Sequence, residues 1–297
     1  MKDPLVSVVI PAYNRPYFLE VALSSVLRQT YSNIEIVICD DSTDDQVQSM
    51  LIPYLERFSC IRYYKNEKNL FVQNFHKCFQ LAKGELINYL MDDDLFHPEK
   101  VQKMVDVLQR FEDVSLVTSY RQPFDQHGNL LPPIKATVKL FEQTAVLNGK
   151  TFGNYVLSHC INVIGEPTTV MFRKADLTEN FGMYRGKQYS TLNDVASWLL
   201  LLSKGKAVYL PEAYSYFRMH PEQNRSFDVL YAPLTEWLDL MVDSRKDGFL
   251  ETDHLFKAAL YTHRQYVEEL QKVQDPRVRE KVDTVEKRID SILRTLK

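Results

Sequence analysis

The sequence predicts an α/β protein, a mostly parallel sheet flanked by helices and followed by a helical C-terminal extension. Three observations carry this. Short β-branched apolar runs alternate with amphipathic stretches over the first 118 residues, the first two runs begin 29 residues apart as a βαβ unit requires, and strand signals fade beyond Phe227. At 297 residues, 45% hydrophobic and 25% charged, the chain suits one large domain or two small ones, and disordered or collagenous classes are excluded.

Residues 5–10 form a continuously apolar run, the pattern of a strand buried on both faces. Asn14 is a candidate helix cap and Pro16 suits a first turn, after which Phe18, Leu19, Ala22, Leu23, Val26 and Leu27 form one stripe. Strands follow at 34–39, 61–64, 86–91 and 114–118. Between them lie a polar helix near 44–57, a helix lined by Phe71, Phe75, Cys78, Phe79 and Ala82 that Gly84 should end, and one opened by Pro98. The rhythm then breaks. A hairpin is expected at His127-Gly128-Asn129, an irregular stretch over 132–148, a strand at 168–172 and a buried helix over 195–202. At the end Val278, Val282, Val285, Ile289, Ile292 and Leu296 make a seam too short for a coiled coil, so a packed terminal helix is expected; self-association through the C-terminal helices is its other use.

Charge is balanced, 36 basic against 39 acidic residues, which argues against a nucleic-acid footprint. Nine glycines leave no glycine-rich phosphate loop; Asn148-Gly149-Lys150-Thr151 imitates the end of one, but Thr144 stands at its opening position. Cys39, Cys60, Cys78 and Cys160 match neither a zinc site nor a disulfide framework and read as reduced thiols. With no secretory signal or spanning segment, a cytoplasmic protein is expected, and the Asn224-Arg225-Ser226 sequon carries no weight. Residues 277–297 hold seven basic and four acidic residues, a mild excess that permits contact with an anionic membrane surface.

The informative feature is where carboxylates fall. Asp40 and Asp41 end one expected strand, Asp92, Asp93 and Asp94 end another, and Tyr13-Asn14 follow the first. Ligands of open parallel sheets bind outside those carboxyl ends. Three consecutive carboxylates in a partly dry cleft repel one another unless a cation or hydrogen-bond donors hold them ionised. Oxygen ligation suits Mg²⁺ or Mn²⁺, which binds through one or two carboxylates plus substrate phosphates, so a nucleoside diphosphate is implied.

The runs Val8-Val9-Ile10-Pro11-Ala12-Tyr13-Asn14, Ile36-Val37-Ile38-Cys39-Asp40-Asp41-Ser42 and Asn88-Tyr89-Leu90-Met91-Asp92-Asp93-Asp94 with Pro98 resemble a family 2 glycosyltransferase of the GT-A fold. The likeness covers residues 4–120 and, more weakly, 165–226. It implies a Rossmann-like nucleotide-sugar half over 1–118, an acceptor half over 119–226 and the extension over 227–297. It further implies a donor site of Pro11, Tyr13, Asn14, Asp40 or Asp41, Asp92 and Arg218, a metal held by Asp93 with Asp94 and His220, and Asp194 as base. Met91 stands where many members carry the first Asp of DxD, which leaves the roles within the triplet open. The family's acidic pair is here Asn193-Asp194, so only Asp194 keeps a carboxylate. The resemblance implies metal-dependent inverting transfer of a sugar, from a UDP-sugar by expectation, to a glycan, lipid-linked or protein hydroxyl, as in cell-surface polysaccharide synthesis. A nucleotide-sugar binder or assembly subunit that has lost turnover is the alternative.

Overall fold

A computed structural model describes residues 3–221, 223, 227–270 and 272–296. The sequon at 224–226, and with it the expected boundary after residue 226, lies outside the described residues. The expected alternation is present: β1 (Val6–Ala12), α1 (Pro16–Leu27), β2 (Ile34–Asp40), α2 (Gln46–Arg57), β3 (Ile61–Lys65), α3 (Val72–Leu81) and β4 (Leu86–Tyr89). Then come β5 (Leu95–Phe96), α4 (Lys100–Arg110), β6 (Val114–Asp125), β7 (Ala145–Leu147) and α5 (Gly149–His159). The chain continues through β8 (Met171–Arg173), the small hairpin β9 (Met183–Tyr184) and β10 (Lys187–Gln188), α6 (Asn193–Leu202) and the long β11 (Lys206–Met219). Helices α7 (Phe227–Ser244), α8 (Asp253–Leu270) and α9 (Pro276–Thr295) close it.

The main sheet runs in the order β3-β2-β1-β4-β8-β6-β11-β5, with β7 also on β11. The first four strands are parallel, as are β6 and β11; β5, β7 and β8 run against their neighbours. Because β2 lies on one side of β1 and β4 on the other, the strand order switches at β1, and a crevice opens at its carboxyl end.

Strand parity sorts the core into two layers. Val6, Val8 and Ile10 of β1 with Ile36 and Ile38 of β2 face the layer under α1, α2 and α4, while Val9, Val37, Cys39, Ile87 and Tyr89 face the other. That second layer also takes Val156, Trp198, Leu199, Leu234, Trp237, Leu238, Phe256, Leu260 and the terminal seam Val278, Val282, Val285 and Ile289. The seam is consumed inside the chain, and α7, α8 and α9 share one core with α5 and α6. No helix among the described residues is long and apolar enough to cross a membrane. All four cysteines are unpaired.

Four local expectations are corrected. Asn14 does not cap α1: it adopts φ 52°, its side chain accepts from the Thr43 N–H at 2.8 Å, and the helix starts at Pro16 with no side-chain cap. Helix α3 ends at Leu81 without help from Gly84, which instead lies where β1 passes; a Cβ there would meet Ser7 N at 2.6 Å and Leu5 O at 2.7 Å. The strand expected over 168–172 is split, because Pro167 opens a 3₁₀ turn, Pro167–Thr169, before β8 begins at Met171. The strand expected to end at 118 continues to Asp125, where the reversal at Gly128 (φ +91°) returns the chain beside it.

Gly84→Ala pushes a methyl group into backbone that cannot rotate away, so the variant should lose about 1–3 kcal/mol of stability. Urea denaturation checks this, and an unchanged midpoint would show that β1 can shift to admit it.

Candidate active site

The crevice at the end of β1 is built from five short segments. The first is the β1 exit, Pro11 to Arg15, which takes a positive φ at Asn14 and is pinned by the Asn14 N–H on Ser42 Oγ at 2.8 Å. With Asp41, Asn69, Phe71, Asn74, Phe75 and Met91 this exit lines a cavity of about 600 Å³.

At the exit of β2 the two aspartates part company. Asp40 is turned inward: Oδ1 accepts from the Ser42 N–H at 2.8 Å, Oδ2 from Tyr63 Oη at 2.7 Å and Lys65 Nζ at 3.3 Å. Asp41 lines the cavity, its oxygens accepting from Asn66 Nδ2 (2.6 Å) and from the N–H groups of Leu70 (3.0 Å) and Phe71 (3.1 Å). Burial raises the Asp41 pKa despite these donors. Asp41 therefore fixes the loop that presents Phe71, 75% exposed at φ 53°, as one wall of the cavity.

The triplet after β4 divides three ways. Asp92 accepts from the Tyr13 N–H at 2.9 Å and from Arg15 Nη2 at 2.5 Å, yet burial, with the charge of Asp93, lifts its pKa to about 7. Asp93 receives Arg15 Nη1 at 2.5 Å and His220 Nε2 at 3.1 Å; burial pushes its carboxyl up, but the His220 hydrogen bond and the Arg15 charge outweigh that and hold it below the ordinary value. Asp94 points the other way, accepting from Thr168 Oγ1 at 2.6 Å and the Arg218 N–H at 2.9 Å, and burial beside Asp93 drives its pKa well up. Asp94 thus anchors structure, and its oxygens are not turned to the donor pair at Asp93.

Arg218 donates Nε to the Asp93 carbonyl at 2.6 Å and lies between the rings of Phe18 and Phe124, 4.6 and 4.3 Å from their centroids. His220 packs on Phe18 at 5.0 Å, and its buried Nδ1 has no hydrogen-bond partner among the described residues. Its Nε2 also approaches Arg15 Nη1, at 3.4 Å.

The donor chemistry for Mg²⁺ or Mn²⁺ fits in part. Among the described residues no three His, Cys, Asp or Glu side chains cluster to enclose a metal. Asp93 Oδ2 and His220 Nε2 do converge, and two protein donors leave the remaining positions to phosphate oxygens and water, as Mg²⁺ prefers. A guanidinium touches both of them here.

Asp194 is the second residue of α6. Its Oδ2 accepts from Asn162 Nδ2 at 2.7 Å and its Oδ1 from the Val195 N–H at 2.7 Å. Burial raises its pKa to about 7, opposed by that N–H, reinforced by the charge of Glu166 and opposed again by Arg121. One loop, residues 162–169, joins it to the triplet: Asn162 holds Asp194 at one end, and Thr168 holds Asp94 and the Met91 N–H (3.1 Å) at the other.

Of the expected site residues, the structure brings Pro11, Tyr13, Asn14, Asp41, Asp92, Asp93, Arg218 and His220 to one crevice. Asp194 is linked to it through the 162–169 loop, and Asp40 and Asp94 face inward. Arg15 and Thr168 are additions. The signal for Arg15 was a cation beside Tyr13-Asn14, opposite an acidic triplet that needs one; nothing local marks Thr168.

The family model for glycosyl transferase family 2 matches residues 7–177. An uncharacterized glycosyltransferase of Rickettsia typhi is 24% identical over 223 residues, covering 74% of this chain and 66% of that one. The chain spans just under two thirds of that relative, and 22% of a similar Rickettsia felis protein. Among solved structures, residues 1–349 of S. aureus TarS match with a TM-score of 0.68 at 16% identity, over 97% of this chain and 82% of that one. A mannosyltransferase from Pyrobaculum calidifontis, in complex with GDP-Man and Mn²⁺, matches with a TM-score of 0.56 at 14% identity, over 96% of this chain and 80% of that one. At these identities the likeness shows a shared GT-A fold.

Asp93→Ala should lower Mn²⁺-dependent affinity for UDP by about tenfold or more. Isothermal titration with UDP, with and without Mn²⁺, checks this; equal metal dependence in variant and parent would remove Asp93 from that role.

Proposed function

The chain belongs to glycosyl transferase family 2, and on that premise we propose that it transfers a sugar, with inversion, from a nucleoside-diphosphate sugar to an acceptor hydroxyl. The observation that carries the reading is the crevice at β1, where Arg15, Asp92, Asp93, Arg218 and His220 meet beside the 600 Å³ cavity. Opposite charges are gathered there at a topological switch point, as a diphosphate and its counter-ion require. The nucleoside fits the cavity walled by Asp41, Phe71 and Phe75, with the Phe71 ring free to lie on a base.

A UDP-sugar is the favoured donor, since the TarS fragment of similar fold has been solved with UDP-GlcNAc, matching this chain with a TM-score of 0.60 at 16% identity. Asp93 and His220 would hold Mg²⁺ or Mn²⁺, which when bound neutralises charge on the departing diphosphate. Arg15 and Arg218, both in that crevice, would be the cations at hand for the phosphates.

Asp194 takes the proton of the acceptor hydroxyl as that oxygen attacks the anomeric carbon. A carboxyl held near pKa 7 is a stronger base than an ordinary aspartate and is half ionised at neutral pH. Asn162 fixes its direction, and Glu166, paired to Arg121 at 2.5 Å, adds negative charge nearby. A glycan, lipid-linked or protein hydroxyl is the acceptor class, and synthesis of cell-surface polysaccharide or another glycoconjugate is the setting we favour.

The test is nucleotide release from UDP- and GDP-sugars with Mn²⁺, water standing in for the acceptor; a protein that binds donor and never releases nucleotide would be a binder. Asp194→Asn should lower turnover by about 10²- to 10⁴-fold while donor binding persists. The base must be ionised, so turnover should fall as pH drops through the Asp194 pKa of about 7 and level off above it. A profile flat from pH 5 to 8 would show that the base is a carboxylate that burial does not lift, because an ordinary one titrates at about 4.

A further inference from the structure

Helix α6 begins without a cap of its own. Its N-cap is Leu192, whose side chain has no acceptor atom to offer the first turn. The turn just before it, residues 190–192, is instead held from 44 residues downstream. Glu236 on α7, only 8% exposed, takes the Ser190 N–H (2.8 Å) and Ser190 Oγ (2.7 Å) on Oε1, and the N–H groups of Thr191 (3.1 Å) and Leu192 (2.7 Å) on Oε2. Four donors of one turn thus converge on a single carboxylate, two residues before Asp194.

Glu236 is one tooth of a longer fastening. Asp239 pairs with Lys187 and with Arg288 of α9, Asp243 faces Tyr189 Oη at 3.4 Å, and Asp247 accepts from Tyr184 Oη at 2.5 Å and Arg185 at 2.9 Å. Residues 236, 239 and 243 step by three and four, so they share one face of α7, Asp247 follows in the 3₁₀ turn Arg245–Asp247 beyond its end, and together they meet the chain from Tyr184 to Leu192.

We propose that Glu236 is a positioning residue for sugar transfer: by holding the 190–192 turn it aims Asp194, and the C-terminal helices belong to the catalytic unit. This rests on Asp194 being the base. Without the carboxylate the turn loses four hydrogen bonds and the start of α6 is freed to shift. A misplacement of about 1 Å at a base costs on the order of 10²-fold in rate.

The experiment compares full-length Glu236→Ala, Glu236→Gln and Val282→Ala with the parent, using whichever common UDP- or GDP-sugar the parent hydrolyses fastest with Mn²⁺. Val282 is a buried α9 core residue that makes no hydrogen bond to the turn, and it supplies a variant of lowered Tm in the same core with Glu236 and its four donors unchanged. Glu236→Ala should lose about 100-fold in kcat with donor KM within about twofold. Glu236→Gln, which keeps one acceptor oxygen, should fall between, and it serves if the alanine variant does not fold. Near-parental kcat in the Glu236 variants, or an equal kcat loss in Val282→Ala, overturns the proposal. Asp194→Asn run alongside separates the two ideas: parental turnover there removes the base, whereas its loss with Glu236 variants unaffected removes only the clamp.

Discussion

The compensation of buried negative charge at the end of β4 is what the rest of the site depends on. Three consecutive carboxyl groups are all within 8% exposure, and at effective protein dielectric two such charges 4 Å apart repel by about 4 kcal/mol. The fold answers with three devices. Arg15 bridges Asp92 and Asp93 from the neighbouring strand, His220 closes on Asp93 from β11, and Asp94 is handed to Thr168 and a backbone N–H. Each device comes from a different part of the chain, so the triplet gathers β1, β11 and the 162–169 loop around itself. The Arg15 guanidinium stands where the proposed function would place a cation and a diphosphate.

The second centre, Asp194, is held by different means. Burial raises its pKa, Asn162 steers its carboxyl, and the turn before its helix is held from α7. The same loop that reaches Asp194 also reaches Asp94, so the two carboxyl centres are mechanically connected through eight residues. Gly165 makes this loop possible: it sits at φ +123°, its carbonyl accepts from Trp198 Nε1 at 2.8 Å, and a side chain there would strike Thr169. Trp198 is fully buried, so the loop is tied to the core directly beneath α6.

The first 118 residues were legible because their elements carry strong periodicity and their acidic groups sit at strand ends, which topology brings to the crevice. What failed locally was conformation set by distant neighbours. Asn14 looks like a cap until Thr43 claims its side chain, Gly84 looks like a stop until the closeness of β1 is known, and residues 168–172 are β-branched enough to hide the effect of Pro167. Arg15 was overlooked because its partners are 77 and 78 residues away, and a pairing at that separation leaves no periodic trace. Glu236, Asp239 and Asp243 carry no local mark of a partner; only the fold reveals that a polar loop covers them. Asp40 and Asp41 are indistinguishable in sequence and differ only in which way the chain leaves β2.

Strand β8 has a consequence for how the molecule is made. Three residues long, it is wedged between β4 and β6 and runs against both, so the middle of the sheet is filled by a piece that emerges some eighty residues after β4. Until then a nascent chain carries an open β4 border of unpaired amides, the kind of edge to which other strands add. Synthesis therefore passes through a window in which the half-built sheet is sticky, and shielding by a chaperone would count for most there.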